Sequence, residues 1–169
     1  MDITRKKGLK MDKKYKKVAV GGTFDKFHKG HGRLLEEAFK FGDEVIIGVT
    51  SDIFGGKKGD IDPCDTRMSN LKDFLSKYPQ KFSVVRLEDS YGPTIHEKEF
   101  DAIVVSKETE PGAIAINKIR KKNGIPLLDI IVIDMVSADD GVPISSTRIR
   151  KGEIDRMGHI LNKIRNAFR

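Results

Sequence analysis

Runs of consecutive apolar residues alternate with amphipathic segments along most of this chain, and that alternation restricts the fold more than any other feature. The apolar runs predict five strands, at 15–20, 43–50, 81–88, 100–106 and 126–136. Helical periodicity between them predicts helices at 30–42, 62–78 and 109–122, followed by a final amphipathic helix across 154–168. Strands that alternate with helices favour β-α-β units. We therefore predict an α/β fold with one parallel sheet covered by helices on both faces.

The composition predicts a single domain without disulfides. At 169 residues the chain is long enough to bury a core, and it contains no internal repeat or interdomain linker. The only cysteine, Cys64, excludes an intrachain disulfide and a cysteine-rich zinc site. No run approaches the roughly 18 apolar residues of a membrane span, and the charged N-terminal segment lacks the apolar stretch of a signal peptide. These features predict a cytoplasmic protein with no membrane partner.

The net charge of +7 is concentrated at the two ends of the chain. Residues 1–17 carry a net charge of +6 and residues 145–169 a net charge of +5, whereas residues 18–144 carry −4. We predict that residues 1–14 form a basic, flexible tail and that residues 15–169 form the folded domain. A basic tail can bind nucleic acid, but it is more often simply solvated, so nucleic-acid binding is the weaker hypothesis.

Four loops are expected to meet at one edge of the sheet. The carboxyl ends of parallel strands lie together, and ligands of such folds bind just beyond them. The loops that follow those ends are 21–31, 51–61, 106–112 and 137–147. A functional site should therefore be made from the residues of these four loops.

The loop after the first strand reads GGTFDKFHKGH at 21–31 and contains two of the four histidines of the chain. Gly22 and its neighbours let the backbone approach a ligand closely, and free backbone N–H groups at the start of the next helix favour an anion. The imidazoles of His28 and His31 stand where a phosphate would rest, and a phosphate would favour their cationic form. The loop matches neither the P-loop pattern nor the GxGxxG dinucleotide pattern.

Two other interpretations of the histidine pair are weaker. His28 and His31 are spaced as zinc ligands can be, but a catalytic zinc site usually needs a third protein ligand. Neither His96 nor His159 lies in a comparable motif, and no HExxH sequence occurs. Two surface histidines in a flexible turn would be the default for either residue alone, but the glycines around this pair make that less favoured. We therefore predict phosphate contact and no metal ligand from protein side chains.

A second informative stretch, ISSTRIR, occupies 144–150. Three hydroxyl residues and two arginines lie in it: Ser145, Ser146, Thr147, Arg148 and Arg150. The hydroxyls can cap a helix. The same hydroxyls and the free amides of a helix start, with the arginines behind them, can also hold a triphosphate. Taken alone, the motif is evenly balanced between a helix cap and a phosphate site.

Three lysines and an asparagine are further candidates. Lys57 and Lys58 lie in the Gly-rich loop 51–61; exposed lysines are usually just solvated, but paired lysines on a mobile loop could close over a phosphate. Lys107 follows the fourth predicted strand and reaches the same edge of the sheet. Asn117, on the next predicted helix, is as easily a surface residue as a site residue.

At these residues the sequence resembles the HxGH nucleotidyltransferase superfamily. One signature is matched by His28-Lys29-Gly30-His31 and the other, similar to ISSTxxR, by Ser145-Ser146-Thr147-Arg148. The segment VVSKETEPGAIAINKIR at 104–120 narrows the resemblance to phosphopantetheine adenylyltransferases of the archaeal and eukaryotic type. The similarity covers most of the chain, from Tyr15 to Arg150.

The resemblance implies a Rossmann-like, doubly wound sheet and adenylyl transfer from ATP to 4′-phosphopantetheine, with Mg²⁺ bound through the ATP phosphates. It implies that His28 and His31 contact those phosphates, that Thr23 positions the attacking phosphate, and that Lys57 or Lys58 approaches the reacting groups. It further implies binding roles for Gly22, Asp25, Lys107, Asn117, Ser145, Ser146, Thr147 and Arg148.

Two alternatives stay open. Another HxGH nucleotidyltransferase, with nicotinamide mononucleotide as acceptor or CTP as donor, would show the same two signatures, and only the 104–120 segment argues against it. A non-catalytic nucleotide-binding or nucleic-acid-binding module is the alternative from a different class.

Overall fold

Six parallel strands form one sheet in a computed structural model of the chain, which describes residues 5–6, 15–55 and 60–161. The strands are β1 (Arg5–Lys6), β2 (Tyr15–Gly22), β3 (Gly42–Thr50), β4 (Lys81–Leu87), β5 (Ala102–Ser106) and β6 (Asp129–Ile133). Their order across the sheet is β1-β6-β5-β2-β3-β4. The winding therefore reverses between β2 and β5, as in Rossmann-like folds, and leaves a crevice beyond the carboxyl ends of these two strands.

In the described ranges, five helices lie between and after the strands. They are α1 (Lys29–Phe41), α2 (Asp52–Gly55), α3 (Cys64–Leu75), α4 (Glu110–Lys122) and α5 (Ser146–Arg150), with a 3₁₀ turn at Gly92–Ile95. One of them, α2, falls in the stretch predicted as the loop 51–61. The three predicted helices between strands are confirmed as α1, α3 and α4, although α3 is shorter than the predicted 62–78. Within the part of the chain that the structure covers, no helix is both long and apolar enough to cross a membrane.

The sheet is buried on both faces because alternate residues of its central strands point to opposite sides. Ala102 and Val104 of β5 pack in the apolar cluster that α1 and α3 cover, whereas Ile103 and Val105 pack in the cluster beneath α4. The most exposed of these four side chains retains only 7% of its surface. Helices on both faces of a parallel sheet confirm the predicted doubly wound α/β fold.

The predicted helix across 154–168 is wrong where the structure describes it. After α5 the chain turns instead, and Ile154 pairs with Ile160 in an antiparallel bridge. Gly158 lies in the left-handed region (φ 89°), and a Cβ there would be 2.8 Å from the Ile144 side chain. Ile154 is buried with Ile144 in a small third cluster against which Ile160 packs, whereas Met157 and Leu161 are exposed, so these apolar residues do not form one buried helix face. The rest of the predicted helix lies outside the described residues.

The N-terminal segment contributes a short edge strand that the sequence does not predict. The backbone of Arg5–Lys6 pairs in parallel with Ile130 and Ile131 of β6. The other residues of 1–14 lie outside the described ranges, so the flexible tail stays a prediction.

Candidate active site

A cavity of about 500 Å³ opens at the carboxyl ends of β2 and β5. Each of the four loops predicted to meet at this edge contributes to its lining, which confirms that part of the prediction. One wall comes from β5, β6 and the start of α4, and the opposite wall from residues at the ends of β3 and β4 and just beyond them. The loop after β2, with its two histidines, lies in the lining as well, at the reversal point of the sheet.

His28 caps α1 and is capped in return. Its Nδ1 accepts hydrogen bonds from the backbone N–H groups of Gly30 (3.0 Å) and His31 (3.3 Å), while Nδ1 of His31 accepts from the His28 N–H (3.2 Å). The two rings stack with their centroids 3.6 Å apart. Gly30 leaves room for this, because a Cβ there would be 2.9 Å from Cε1 of His28. The HxGH sequence therefore acts locally as a reciprocal helix cap.

Both imidazoles are neutral in this environment. Burial, assisted by the charge of Arg156, lowers the pKa of His28 from 6.5 to about 4. Burial, and then His28, lowers the pKa of His31 further still. A neutral imidazole whose Nδ1 accepts a hydrogen bond carries its proton on Nε2. From the sequence, we expect the two imidazoles to be cationic beside a phosphate. Their burial in the folded protein instead favours two neutral N–H donors at the cavity that both residues line.

The N–H groups in the first turn of α1 already have partners within the protein. Those of Gly30 and His31 donate to His28, and that of Lys29 donates to the carbonyl oxygen of Arg156 (2.9 Å). The prediction that free amides at this helix start bind an anion is therefore wrong. The donors that remain at the start of α1 are therefore the imidazole N–H groups and not the backbone.

A buried arginine of α3 lies behind Thr23. Arg67, whose side chain is 1% exposed, donates to the carbonyl oxygens of Thr23 (2.9 Å) and Asp62 (2.7 Å) and to Oγ1 of Thr50 (3.3 Å). The hydroxyl of Thr50 in turn donates to Oγ1 of Thr23 over 3.3 Å. Thr23 and Thr50 both line the cavity. Thr23 is thus held by two residues that the sequence does not single out.

Asp25 joins the histidine loop to α5. Its carboxylate is 2% exposed; Oδ2 is 2.6 Å from Nη1 of Arg150, and Oδ1 accepts from the Asp62 N–H at 2.9 Å. Its carbonyl oxygen accepts the hydroxyl of Ser146 at 2.6 Å. Asp25 lies in the cavity wall, as its predicted binding role requires. Since its carboxylate is already paired, its direct effect is to place Arg150.

The start of α5 combines both interpretations of the ISSTRIR motif. Ser145 is a helix cap, because its Oγ accepts the N–H of Arg148 at 3.2 Å. Ser146 and Thr147 hold the first two helical positions, where a backbone N–H has no carbonyl partner one turn earlier. Both line the cavity together with Arg150, which donates from Nη2 to Oγ1 of Thr147 (3.1 Å).

The arginine of this motif that reaches the cavity is Arg150, and the prediction of Arg148 is wrong. The guanidinium of Arg148 pairs with the carboxylates of Asp140 and Glu153, and Arg148 is not among the cavity residues. This ion pair also holds the pKa of Asp140 below its usual range. Residues three apart share a helix face, so Arg150 lies over Thr147 whereas Arg148 does not. That spacing was the signal in the sequence.

Asn117 is a core residue, so its predicted role in binding is wrong. It is 0% exposed. Its side-chain amide donates to the carbonyl oxygen of Leu128 (3.0 Å) and accepts the N–H of the same residue (2.8 Å). Both ends of the amide are used to fix α4 against the chain entering β6.

The remaining predicted residues differ in how close they come to the cavity. Gly22 lines it, and its binding role stays a prediction. Lys107 is exposed at the end of β5; Ser106 and Glu108 on either side of it line the cavity, but Lys107 does not. Two further candidates, Lys57 and Lys58, lie outside the described residues and stay predictions.

The described residues provide no set of side chains that could bind zinc. Across residues 15–55 and 60–161, no group of three or more histidine, cysteine, aspartate and glutamate side chains is arranged to hold a metal ion. The Nδ1 atoms of both loop histidines are occupied by backbone N–H groups. Histidine, hydroxyl and arginine donors dominate the lining around the β2 loop, and such donors match the oxygens of phosphates.

The chain is similar to known proteins over most of its length. A family profile described as cytidylyltransferase-like matches residues 19–152. The phosphopantetheine adenylyltransferase of Methanothermobacter thermautotrophicus is 60% identical over 160 residues, which cover 94% of this chain and 98% of that protein. The protein of the same name from Methanopyrus kandleri is 48% identical over 147 residues, covering 84% and 92%.

Among solved structures, a protein of unknown function from Archaeoglobus fulgidus superposes with a TM-score of 0.65 at 36% identity, covering 70% of this chain and 89% of that one. The profile match extends from within β2 to just past α5 and so contains the histidine loop, the ISSTRIR helix and the other cavity loops. With nearly the full length of its curated relatives also aligned, the chain belongs to the cytidylyltransferase-like family and, within it, to the phosphopantetheine adenylyltransferases.

Proposed function

We propose that this protein transfers the adenylyl group of ATP to 4′-phosphopantetheine and releases pyrophosphate, which yields dephospho-coenzyme A. The observation that carries the proposal is that two separate sets of hydrogen-bond donors, each suited to phosphate oxygens, converge on one cavity. The stacked histidines and the start of α5 with Arg150 form the first set, and Thr23 with its support from Thr50 and Arg67 forms the second. Two sets suit a reaction between two polyanions.

The chemistry needs little beyond positioning and charge stabilisation. An oxygen of the acceptor phosphate forms a bond to the α-phosphorus of ATP, the bond from that phosphorus to the bridging oxygen breaks, and pyrophosphate leaves with the electron pair. The nucleophile is already an anion, so no general base or covalent enzyme intermediate is required. The cavity must hold the two phosphates in line and stabilise the charge that develops between them.

The residues divide naturally between these tasks. Nε2–H of His28 and His31 would donate to the phosphate under attack, because their Nδ1 atoms are committed to the helix cap. Ser146, Thr147 and Arg150 would hold the leaving pyrophosphate, and Thr23 would hold the acceptor phosphate.

Further contacts are proposed from the sequence. Gly22 would let the backbone pass close to the nucleotide, and Lys57, Lys58 or Lys107 would add charge at the rim.

Mg²⁺ would enter with ATP. The donors around the reacting centre are N–H and O–H groups, which match phosphate oxygens and leave a metal ion to be carried by those oxygens. When bound, Mg²⁺ supplies charge neutralisation along the triphosphate. A biosynthetic reaction between two soluble metabolites also fits the cytoplasmic location predicted from the sequence.

An acceptor screen tests the proposal. Purified protein is incubated with ATP and Mg²⁺ and either 4′-phosphopantetheine, nicotinamide mononucleotide, glycerol 3-phosphate or no acceptor, and pyrophosphate release is measured. The same screen with CTP tests the donor. Release should require ATP and 4′-phosphopantetheine together. Equal release with nicotinamide mononucleotide, or preference for CTP, would refute the substrate assignment.

A second comparison addresses the non-catalytic alternative. Deletion of residues 1–12 removes the two-residue edge strand β1 but should leave pyrophosphate release nearly unchanged, because every described residue that lines the cavity lies at position 21 or later. A protein that acts by binding nucleic acid through its basic tail would instead lose its function with the tail and release no pyrophosphate at all.

A further inference from the structure

We propose that Arg67 and Thr50 are positioning residues that fix the hydroxyl of Thr23 as a hydrogen-bond donor to the acceptor phosphate. This Arg67–Thr50–Thr23 relay rests on the proposed function, because it assigns the direction of one hydrogen bond to a substrate phosphate. It concerns residues of α3 and the end of β3 that no sequence motif marks.

The first step is the placement of Arg67. Its guanidinium is buried and reaches three separate segments: the loop after β2 at Thr23, the end of β3 at Thr50, and the approach to α3 at Asp62. Its nearest carboxylate, Asp52, is 3.5 Å away and 63% exposed. The charge of Arg67 is therefore only loosely compensated, and it lies directly behind the cavity wall.

The second step is the direction of the hydrogen bonds. An arginine can only donate, so Oγ1 of Thr50 acts as the acceptor for Arg67 at 3.3 Å. The hydroxyl proton of Thr50 is then available for Oγ1 of Thr23, also at 3.3 Å. Thr23 consequently accepts from behind and keeps its own proton for the cavity that it lines. A phosphate, which only accepts when ionised, needs a donor at that place.

The third step is what holds Thr50. Thr50 is 7% exposed, and the backbone of Gly55 packs directly against its hydroxyl, since a Cβ at 55 would lie 2.6 Å from Oγ1. Gly55 is in turn fixed by its N–H, which donates to the carbonyl oxygen of Ser51 at 2.7 Å. The Thr50 side chain is therefore packed in place against the turn at Gly55 before substrate arrives.

Arg120 shows what a merely structural buried arginine looks like in this protein. It is 0% exposed, like Arg67 in burial, but its hydrogen bonds go to backbone carbonyl oxygens, among them those of Pro126 and Glu97. None of its partners lines the cavity. Arg120 is therefore a matched control for any effect that comes from disturbing a buried guanidinium.

The first test compares Thr50→Val with Thr50→Ser. Valine keeps the shape and removes the relay, whereas serine keeps the hydroxyl. We expect Thr50→Val to lower kcat of pyrophosphate release about tenfold, and Thr50→Ser to stay within about twofold of the wild type. The Kd for ATP, measured by calorimetry without acceptor, should be unchanged in both. Equal activity of the valine and serine variants would overturn the relay.

The second test asks whether Thr50 acts through Thr23. In a double-mutant cycle, Thr50→Val should lower kcat in the wild-type background but have no further effect in Thr23→Val, because the hydroxyl that it orients is gone. Independent, multiplicative effects would refute the relay even if each variant is impaired. Thermal unfolding of all four proteins shows whether loss of fold contributes.

The third test uses the matched arginines. Arg67→Lys should lower kcat about tenfold with 4′-phosphopantetheine, whereas Arg120→Lys should lower Tm and leave kcat within about twofold. Similar effects on kcat in both would show that burial alone matters and would overturn the proposal. If the wild-type protein releases no pyrophosphate with 4′-phosphopantetheine, the proposed function fails; if it does so and Thr50→Val matches it, only the relay fails.

Discussion

Helices α1 and α5 both begin at the cavity, but they present different chemistry to it. The N-terminal turn of α1 is closed by two histidines that use its backbone N–H groups, so two neutral imidazole N–H groups are left for a ligand. The start of α5 is capped by Ser145 and leaves the amides of its first two residues, with the charge of Arg150 beside them. One helix start offers neutral donors, and the other offers a guanidinium that is ion-paired with the buried carboxylate of Asp25.

The difference indicates a division of labour. The guanidinium of Arg150, although paired with Asp25, and the amides beside it can contact a polyanion in every state of the reaction, so the start of α5 should mainly determine how tightly ATP binds. Neutral N–H donors attract the bound triphosphate less, and they matter most when charge moves onto the phosphate that is being transferred. We therefore expect changes at α1 to affect kcat and changes at α5 to affect the KM for ATP.

Replacement of His31 should give the largest effect. His31→Ala removes a donor to the transferred phosphate, so kcat should fall about 100-fold or more, while the KM for ATP changes by less than about threefold. Steady-state pyrophosphate release measures both constants. His159→Ala is the control, because His159 is exposed and contacts Asp155 outside the cavity. A raised KM with an unchanged kcat would mean that α1 binds ATP as α5 does.

Replacement of Arg150 should give the opposite signature. Loss of its charged contact to phosphate in Arg150→Ala should raise the KM for ATP about 10- to 30-fold, with a smaller change in kcat. Arg148→Ala is the matched control two residues away: it breaks the pairs with Asp140 and Glu153, so it should lower Tm but leave the KM unchanged. If Arg148→Ala raises the KM for ATP as much as Arg150→Ala does, the assignment of ATP binding to Arg150 and not to Arg148 is wrong.

The fold could largely be predicted because its signal is local. The apolar runs of β2 to β6 and the periodicity of α1, α3 and α4 are visible in single stretches of sequence. The C-terminal segment shows the limit: Ile154, Met157 and Leu161 have spacing that suits a helix, but Gly158 adopts a left-handed conformation and Ile154 pairs with Ile160 across a turn. Whether a helix or a turn forms here depends on contacts with the cluster around Ile144, which lies outside the stretch whose spacing predicts the helix.

The site residues could be predicted only where they lie close together in one sequence motif. Thr23, His28 and His31 were found because they lie together in one loop. Arg67 was not, since a buried arginine on α3 has the same sequence surroundings as an exposed one, and only the meeting of three loops gives it partners. The predicted binding role of Asn117 is wrong because both hydrogen bonds of its side-chain amide are made with the backbone of Leu128, and no local sequence pattern reveals that contact.

The pH dependence of stability should sharpen the contrast between the two caps. The pKa of His28 is lower in the folded protein, about 4 against 6.5, so below pH 6.5 the unfolded chain binds a proton that the native cap excludes. Stability should therefore fall as the pH is lowered from 6.5 towards 4, by about 1 kcal/mol between pH 7 and 5.5 for this residue. Urea unfolding across that range measures the slope.

His28→Asn isolates that contribution. Asparagine is a good N-cap but does not titrate, so the variant should lose less stability over the same range of pH. Parallel curves for the wild type and the variant would mean that His28 titrates normally in the folded protein. The Ser145 cap of α5 contains no titratable group and provides no comparable slope.

The smallest expected effect is an absence of proton uptake when ATP binds. If the histidines stay neutral donors, the calorimetric heat of ATP binding at pH 8, corrected for dilution, should be the same in buffers with different ionisation enthalpies, because no proton is exchanged. ATP is fully ionised at that pH and contributes none. A cationic pair would instead take up protons from the buffer, since the pKa of His28 in the protein, about 4, lies far below 8.

Heats that depend on the buffer in the wild type and not in His31→Ala would show that bound phosphate draws a proton onto the stacked rings. In that case α1 would hold ATP by charge as α5 does, and the two helix starts would differ only in how their charge is acquired.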